Sequence, residues 1–360
     1  MIYVGGVPFQ SDGPSSSEQG SKILLALMEH PTLVSASCSF KSTPERKFSA
    51  SEDSGLERGT GCKWVYVFQR EYATVDPALV DLVGTDEATT CVGLAIRNHK
   101  SGMTSVGHLD SPDVVETGLT QMLSLVVDQN SDEMLEVHLV GGYNDSSPQG
   151  MDSVISNHTD HSGFSFPLCA KIVETLEKSD MVFHLQTLHV LENNTRQDSE
   201  GNAYPIFNGF MVEPSTGSIF PANFDRTSRC PDEVVRRIRL SSSYEDPSWN
   251  GRLLETYDIP TDRFVIAPCA WTIHQLQIAM MLQNLSDAEI LHICSTSPSV
   301  EAPDFVENER RQWDYLKKHP DWKETFPMKQ PRIFERTPSG RWKRSPVARA
   351  DAESKLCTTE

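Results

Sequence analysis

Cys91 and His108 are the residues whose types and placing suit covalent chemistry. Cys91 closes the segment GTDEATTC and opens an apolar run, VGLAIRN. His108 stands near the end of a second apolar run, TSVGHLD. Between them lies NHKSGMT, whose His-Lys-Ser-Gly core has the composition of a hairpin loop. Antiparallel neighbours joined there bring the thiol and the imidazole together. An imidazole in hydrogen-bond reach takes the thiol proton, leaving a thiolate at neutral pH, and later returns a proton to a departing amine. Spacing alone does not make the pair specific. A cysteine that opens a strand is more often a small core residue, and a histidine at a strand end is more often structural.

The elements that must position this pair follow from apolar periodicity. MIYVGGVPF predicts a short strand with a Gly-Gly break, and SKILLALMEHP a helix with Ser21 at its cap and Pro31 beyond its end. Residues 35–61 carry little apolar weight and predict a mobile loop. KWVYVFQREYATV, LEVHLVGGYND and MVFHLQTLHVLE predict strands, and VVETGLTQMLSLVVD a helix. PIFNGFMVEPSTGSIFPANF predicts a hairpin at PSTG, RLLETYDIPTDRFVIAPCAW two strands, and RIFERTPSGRWKR a last hairpin at PSG. DEVVRRIRLSS, QLQIAMMLQNLSDAEILHICS and DFVENERRQWDYLKKHP read as helices, with the LQIAMMLQNL stripe as core. The expected class is therefore α+β, with a mixed, largely antiparallel sheet and packed helices. Residues 1–328 form one domain with loop inserts near 35–61, 193–203 and 241–252. A basic hairpin and tail follow at 329–360.

Several polar residues have a plain structural reading. Gly141 and Gly142 suit a tight turn, and His138 a satisfied core position. His158 and His161 flank Asp160 in a loop-like run without a third convergent ligand, so no metal is expected. The eight cysteines, at 38, 62, 91, 169, 230, 269, 294 and 357, form no C-x-x-C pair and read as reduced thiols of a cytosolic or nuclear protein. The N-terminus lacks the pattern of a secretory signal, and no apolar run is long enough for a membrane span. A net charge of −18 argues against a general nucleic-acid binder and is compatible with a cationic ligand such as a peptide ammonium.

Four separated motifs change the weight of the Cys91 reading. GTDEATTC, GHLD, LEVHLVGGYND and the late segment STSPSVEAPDFVENERRQWDYLKKHP, in this order, resemble the protein N-terminal asparagine amidohydrolase family. The resemblance runs from near residue 64 to about residue 320. It implies conversion of a protein's N-terminal Asn to Asp with release of ammonia, feeding N-degron-dependent degradation. It implies Cys91 as nucleophile and no cofactor. A looser likeness, to the chemotaxis-receptor glutamine deamidase fold, implies His108 as the general base and acid. The expected partners are proteins or peptides with a free N-terminal Asn and other N-degron pathway components, with neither nucleic acid nor membrane. The expected location is the cytoplasm, with the nucleus also open.

Such a substrate needs an acceptor for its ammonium group. Asp86, on the turn entering the strand of Cys91, is assigned to it, with Glu87 beside it as the second choice. Thr90 either orients the thiol or the substrate amide or is a strand former, and Asp110 either orients the imidazole or is turn polarity. Ser295, in STSP, is assigned to the site lining by the resemblance. Two rival functions stay open: a cysteine amidase acting on glutamine, and a non-catalytic N-degron binding module.

Overall fold

The computed structural model describes residues 1–9, 19–49, 61–127, 134–146 and 163–346. The chain is α+β, framed by an eight-stranded mixed sheet. Strands run across it in the order Leu254–Glu255, Glu71–Val75, Thr104–Leu109, Val92–Asn98, Leu135–Tyr143, Phe183–Leu191, Ile2–Val4 and Val7–Pro8. The middle, from Glu71–Val75 to Leu135–Tyr143, is antiparallel. Phe183–Leu191 and Ile2–Val4 are added in parallel. NHKSGMT is the expected hairpin turn: Asn98 O accepts from Gly102 N–H, and Asn98 Oδ1 from Lys100 and Ser101 N–H.

Alternation along Val92–Asn98 explains the layers. Val92, Leu94 and Ile96 join a core with Leu24 of helix Gln19–Met28, Leu119 of helix Val115–Leu123 and Ile172 of helix Ser165–Lys178. Ala95 faces the other way, into a core with Val83 and Phe210. There a second sheet packs, ordered Arg46–Phe48, Ile219–Phe224, Phe210–Val212, Leu82–Thr85 and Trp64–Tyr66. The two sheets approach closely because Gly93 has no side chain. A Cβ there would lie 2.3 Å from the Phe210 ring and 3.1 Å from Thr85 Cγ2.

Several expectations are corrected. Residues 31–42 are a helix, not a loop. Pro31 opens it, and His30 Nδ1 caps it by accepting from Thr32 N–H at 3.3 Å. Leu33 and Phe40 are its buried apolar anchors, and 50–60 lie outside the described residues. KWVYVFQREYATV is two strands in different sheets, because the chain crosses between layers at a left-handed Arg70 (φ 62). QLQIAMMLQNLSDAEILHICS is two helices, Ile273–Leu282 and Asp287–Cys294, separated where Ser286 and Glu289 form a capping box. The LQIAMMLQNL stripe is core on one face only: Ala279 is buried and Leu276, Leu282 and Leu285 pack against the core, whereas Met280 and Met281 are exposed. The last hairpin continues a four-stranded sheet through Arg263–Ile266, with Trp342 against Phe264. Among the described residues no single helix is long and apolar enough to cross a membrane.

Helix Glu233–Ser243 carries two arginines into the interior. Arg236 and Arg239 reach Glu71 at 2.6 and 2.5 Å, all three nearly free of solvent. Burial pushes the Glu71 carboxyl up, but the two guanidinium groups outweigh it and hold it below its ordinary range. Glu71→Ala strands two buried cations and should cost about 3–5 kcal/mol of stability. A urea midpoint matching the parent's would show that solvent or other groups satisfy both arginines.

Candidate active site

Cys91 stands at the mouth of the central strand, 9% exposed. The preceding turn is clamped in place. Ala88 N–H donates to Asn208 O at 2.8 Å, Gly142 N–H to Ala88 O at 3.3 Å, and Tyr143 N–H to Thr89 O at 3.2 Å. Gly141 and Gly142 therefore serve the end of a strand rather than a tight turn. Gly141 has φ +116, and a Cβ on it would lie 2.8 Å from Cys91 O. Only glycine lets the backbone that carries the thiol sit so close.

The ladder relates Cys91 to His108. Val92 pairs with Leu109 and Gly93 with His108, so Cys91 comes next in line opposite Asp110. Cys91 and His108 share the face of Gly93 as diagonal neighbours. The second sheet then fixes the imidazole. Thr85, the last residue of Leu82–Thr85, donates its hydroxyl to Val67 O at 2.7 Å. Its oxygen is left to accept from His108 Nδ1, also at 2.7 Å. This assigns the proton to Nδ1 and leaves Nε2 as the acceptor. Nε2 is buried and has no hydrogen-bond partner among the described residues.

Both partners rest uncharged. Burial lowers His108 to about 4, against the opposing pull of Asp110, Glu87 and Glu71. Burial also pushes the Cys91 thiol well up, reinforced by Asp110, Glu301 and Glu87 and opposed by a hydrogen bond from Thr90. Both directions favour a thiol beside a neutral imidazole in the free site, rather than a standing thiolate.

Cys91 opens into a cavity of about 520 Å³. Thr90 lines it, with its hydroxyl oxygen 3.2 Å from that of Thr296. Ser295 lines it too, donating to Glu301 and accepting from Ser297 N–H at 2.9 Å. Phe164, Leu240 and Phe305 give it apolar patches. Tyr244 comes from the 241–252 insert, which is therefore part of the site. Glu87 holds the left-handed conformation (φ 61) and is gripped by Arg229 at 2.8 Å and Arg237 at 2.9 Å. Burial pushes the Glu309 carboxyl up to about 7.

Asp86 is not brought to this cavity. Its carboxylate accepts from Tyr66 Oη at 2.6 Å, Phe224 N–H at 2.9 Å, and Arg229 Nε and Nη2 at 3.2 and 3.0 Å. Every good acceptor position is used, and the side chain is 1% exposed. Asp110 does not orient the imidazole, since Thr85 does. Tyr244 Oη donates to Asp110 Oδ2 at 2.6 Å instead. His138 is the satisfied core residue expected, 3.0 Å from Thr187 Oγ1. His158 and His161 lie outside the described residues. The roles of Thr85, Arg237 and Glu301 went unread in the sequence. Thr85 stood in GTDEATTC and Glu301 in the late motif, but nothing local marked what either would bond.

A family model described as protein N-terminal asparagine amidohydrolase matches residues 54–344. A protein of that name from Arabidopsis thaliana is 56% identical over 348 residues, covering 96% of this chain and 100% of its own. One from Mus musculus is 32% identical over 285 residues, covering 78% of this chain and 83% of its own. One from Homo sapiens is 30% identical with the same coverage.

Proposed function

Because this chain belongs to the protein N-terminal asparagine amidohydrolase family, we propose that it hydrolyses the side-chain amide of an N-terminal Asn through a thioester on Cys91. The observation that carries this reading is the open Nε2 of His108, held as an acceptor by Thr85 on the face shared with the thiol.

The Cys91 sulfur attacks the carboxamide carbon while His108 Nε2 takes the thiol proton. Transfer during attack suits a pair that rests neutral, since neither ion need exist beforehand. The tetrahedral oxyanion calls for N–H donors. The Thr90 and Cys91 amides, on the backbone that carries the thiol, are the candidates for that task. His108 then gives its Nε2 proton to the nitrogen. The C–N bond breaks, ammonia leaves, and a thioester remains. A water loses its proton to His108, attacks the thioester, and expels the sulfur, which regains the proton. The product is an N-terminal Asp.

Asn over Gln is a matter of depth. One added methylene moves the carbonyl by about 1 Å, and such misplacement can cost about 100-fold. The product would enter N-degron-dependent degradation, and a cytoplasmic or nuclear location is proposed on that ground.

Mass spectrometry of Asn-initiated and Gln-initiated peptides is the test. The Asn peptide should gain the mass of an amide-to-acid exchange, with ammonia released and the chain uncut. Turnover of Gln alone, or tight binding without mass change, would replace this reading by one of its rivals.

A further inference from the structure

The cavity holds polar atoms that the fold leaves unused. Asp110 Oδ1 and Ser297 Oγ are buried without a hydrogen-bond partner among the described residues, and both residues line the cavity. Ser297 is 5% exposed. Buried polar atoms are almost always partnered, so orphans around a cavity mark places for a ligand's polar groups.

Asp110 is the more informative of the two. A carboxylate oxygen only accepts, so the missing partner is a donor. Tyr244 fixes the other oxygen, which holds the free one in place. One step beyond the last ladder pair, Val92 with Leu109, Asp110 falls opposite Cys91. In an N-terminal Asn, the carbon bearing the ammonium is one bond from the carbon bearing the reacting carboxamide. The ammonium must therefore lie beside the nucleophile. Of the other carboxylates near the cavity, Glu87 is neutralised by Arg229 and Arg237. Glu301 and Glu309 each take one hydrogen bond, from Ser295 and Gln312, and neither lies on the strand end next to Cys91.

Resting on the deamidation reading, we propose that Asp110 is the acceptor for the substrate's α-ammonium, and that its occupation primes Cys91 for attack. Several groups surround the thiol. His108 belongs to the neighbouring strand and Asp110 follows its end, Glu87 belongs to the preceding turn, and Glu301 to the segment after helix Asp287–Cys294. Arg237 and Glu309 line the same cavity from two helices. Burial comes first among the causes that hold the thiol protonated, and Asp110 is the foremost charge adding to it. An ammonium on Asp110 cancels that charge as the substrate binds, easing proton transfer to His108. An internal Asn offers a neutral amide instead and leaves the thiol inert. Recognition of the free terminus and activation of the nucleophile thus become one event.

Asp110→Asn tests this through two readouts. The parent should prefer a free over an N-acetylated Asn peptide by about 10- to 100-fold or more, the span of a charge-assisted hydrogen bond. The variant should lose most of that preference through a raised KM. Without substrate, iodoacetamide should alkylate its Cys91 at lower pH than in the parent. An unchanged preference, or an unchanged alkylation profile in the folded variant, overturns the proposal. Should Asp110→Asn fail to fold, Tyr244→Phe decides, because it frees the carboxylate while keeping its charge. A raised KM with the parent's alkylation profile supports the proposal, and an unchanged KM overturns it. A parent that deamidates no Asn peptide would sink the deamidation reading itself. A working parent with indifferent variants would sink only the role of Asp110.

Discussion

Cys91→Ala should release no ammonia from an Asn-initiated peptide above background, a loss on the order of 10⁴-fold or more. The fold should survive, because the thiol fronts a cavity rather than filling the core, and no partner beyond Thr90 depends on it. Binding of the peptide should persist, which separates an enzyme from a recognition module. Cys91→Ser should be nearly as inactive. An alcohol is far harder to deprotonate than a thiol, and an imidazole held at about 4 is a weak base for the task. Substantial turnover by the serine variant would remove the sulfur from the chemistry.

His108→Gln should lower kcat by about 10²- to 10⁴-fold, the usual worth of a general acid–base. The sharper check is the pH profile of the parent. The base must be neutral, and neutral imidazole is lost only as pH falls through about 4, because burial opposes the charge. The acid limb of kcat/KM should therefore lie near 4, not at the ordinary histidine value of ~6.5. On the alkaline side, the peptide ammonium loses its proton at ~7.7–8.0, and kcat/KM should fall there. A reversible acid limb near ~6.5 would mean that the imidazole works in a wetter, more polar setting than the one described. Thr85→Val removes the acceptor that fixes Nδ1–H, and should lower kcat about 10-fold without moving KM.

How far these features could be read beforehand depends on whether their causes were local. Cys91 and His108 were legible because one hairpin carries both, and a hairpin's turn and alternation are written within some twenty residues. Thr85 was not, since its partnership needs two sheets to pack across Gly93. Asp86 lay on the right turn, but its direction is set by Arg229, 143 positions downstream. Pro31 could be read as ending one helix, while its role in opening the next depends on His30 as cap. DEVVRRIRLSS was legible as a short helix, but not the burial of its arginines, because their partner, Glu71, is far off in sequence.

The contact between Thr90 and Thr296 joins residues 206 positions apart. On the ribosome, at ~5–20 residues per second, that interval takes roughly 10–40 s. A growing chain thus displays its nucleophile and base well before it gains Ser295–Glu301, which wall the cavity beside them. Until that last stretch is translated, the half-made enzyme has reactive groups but no enclosure to hold a peptide end.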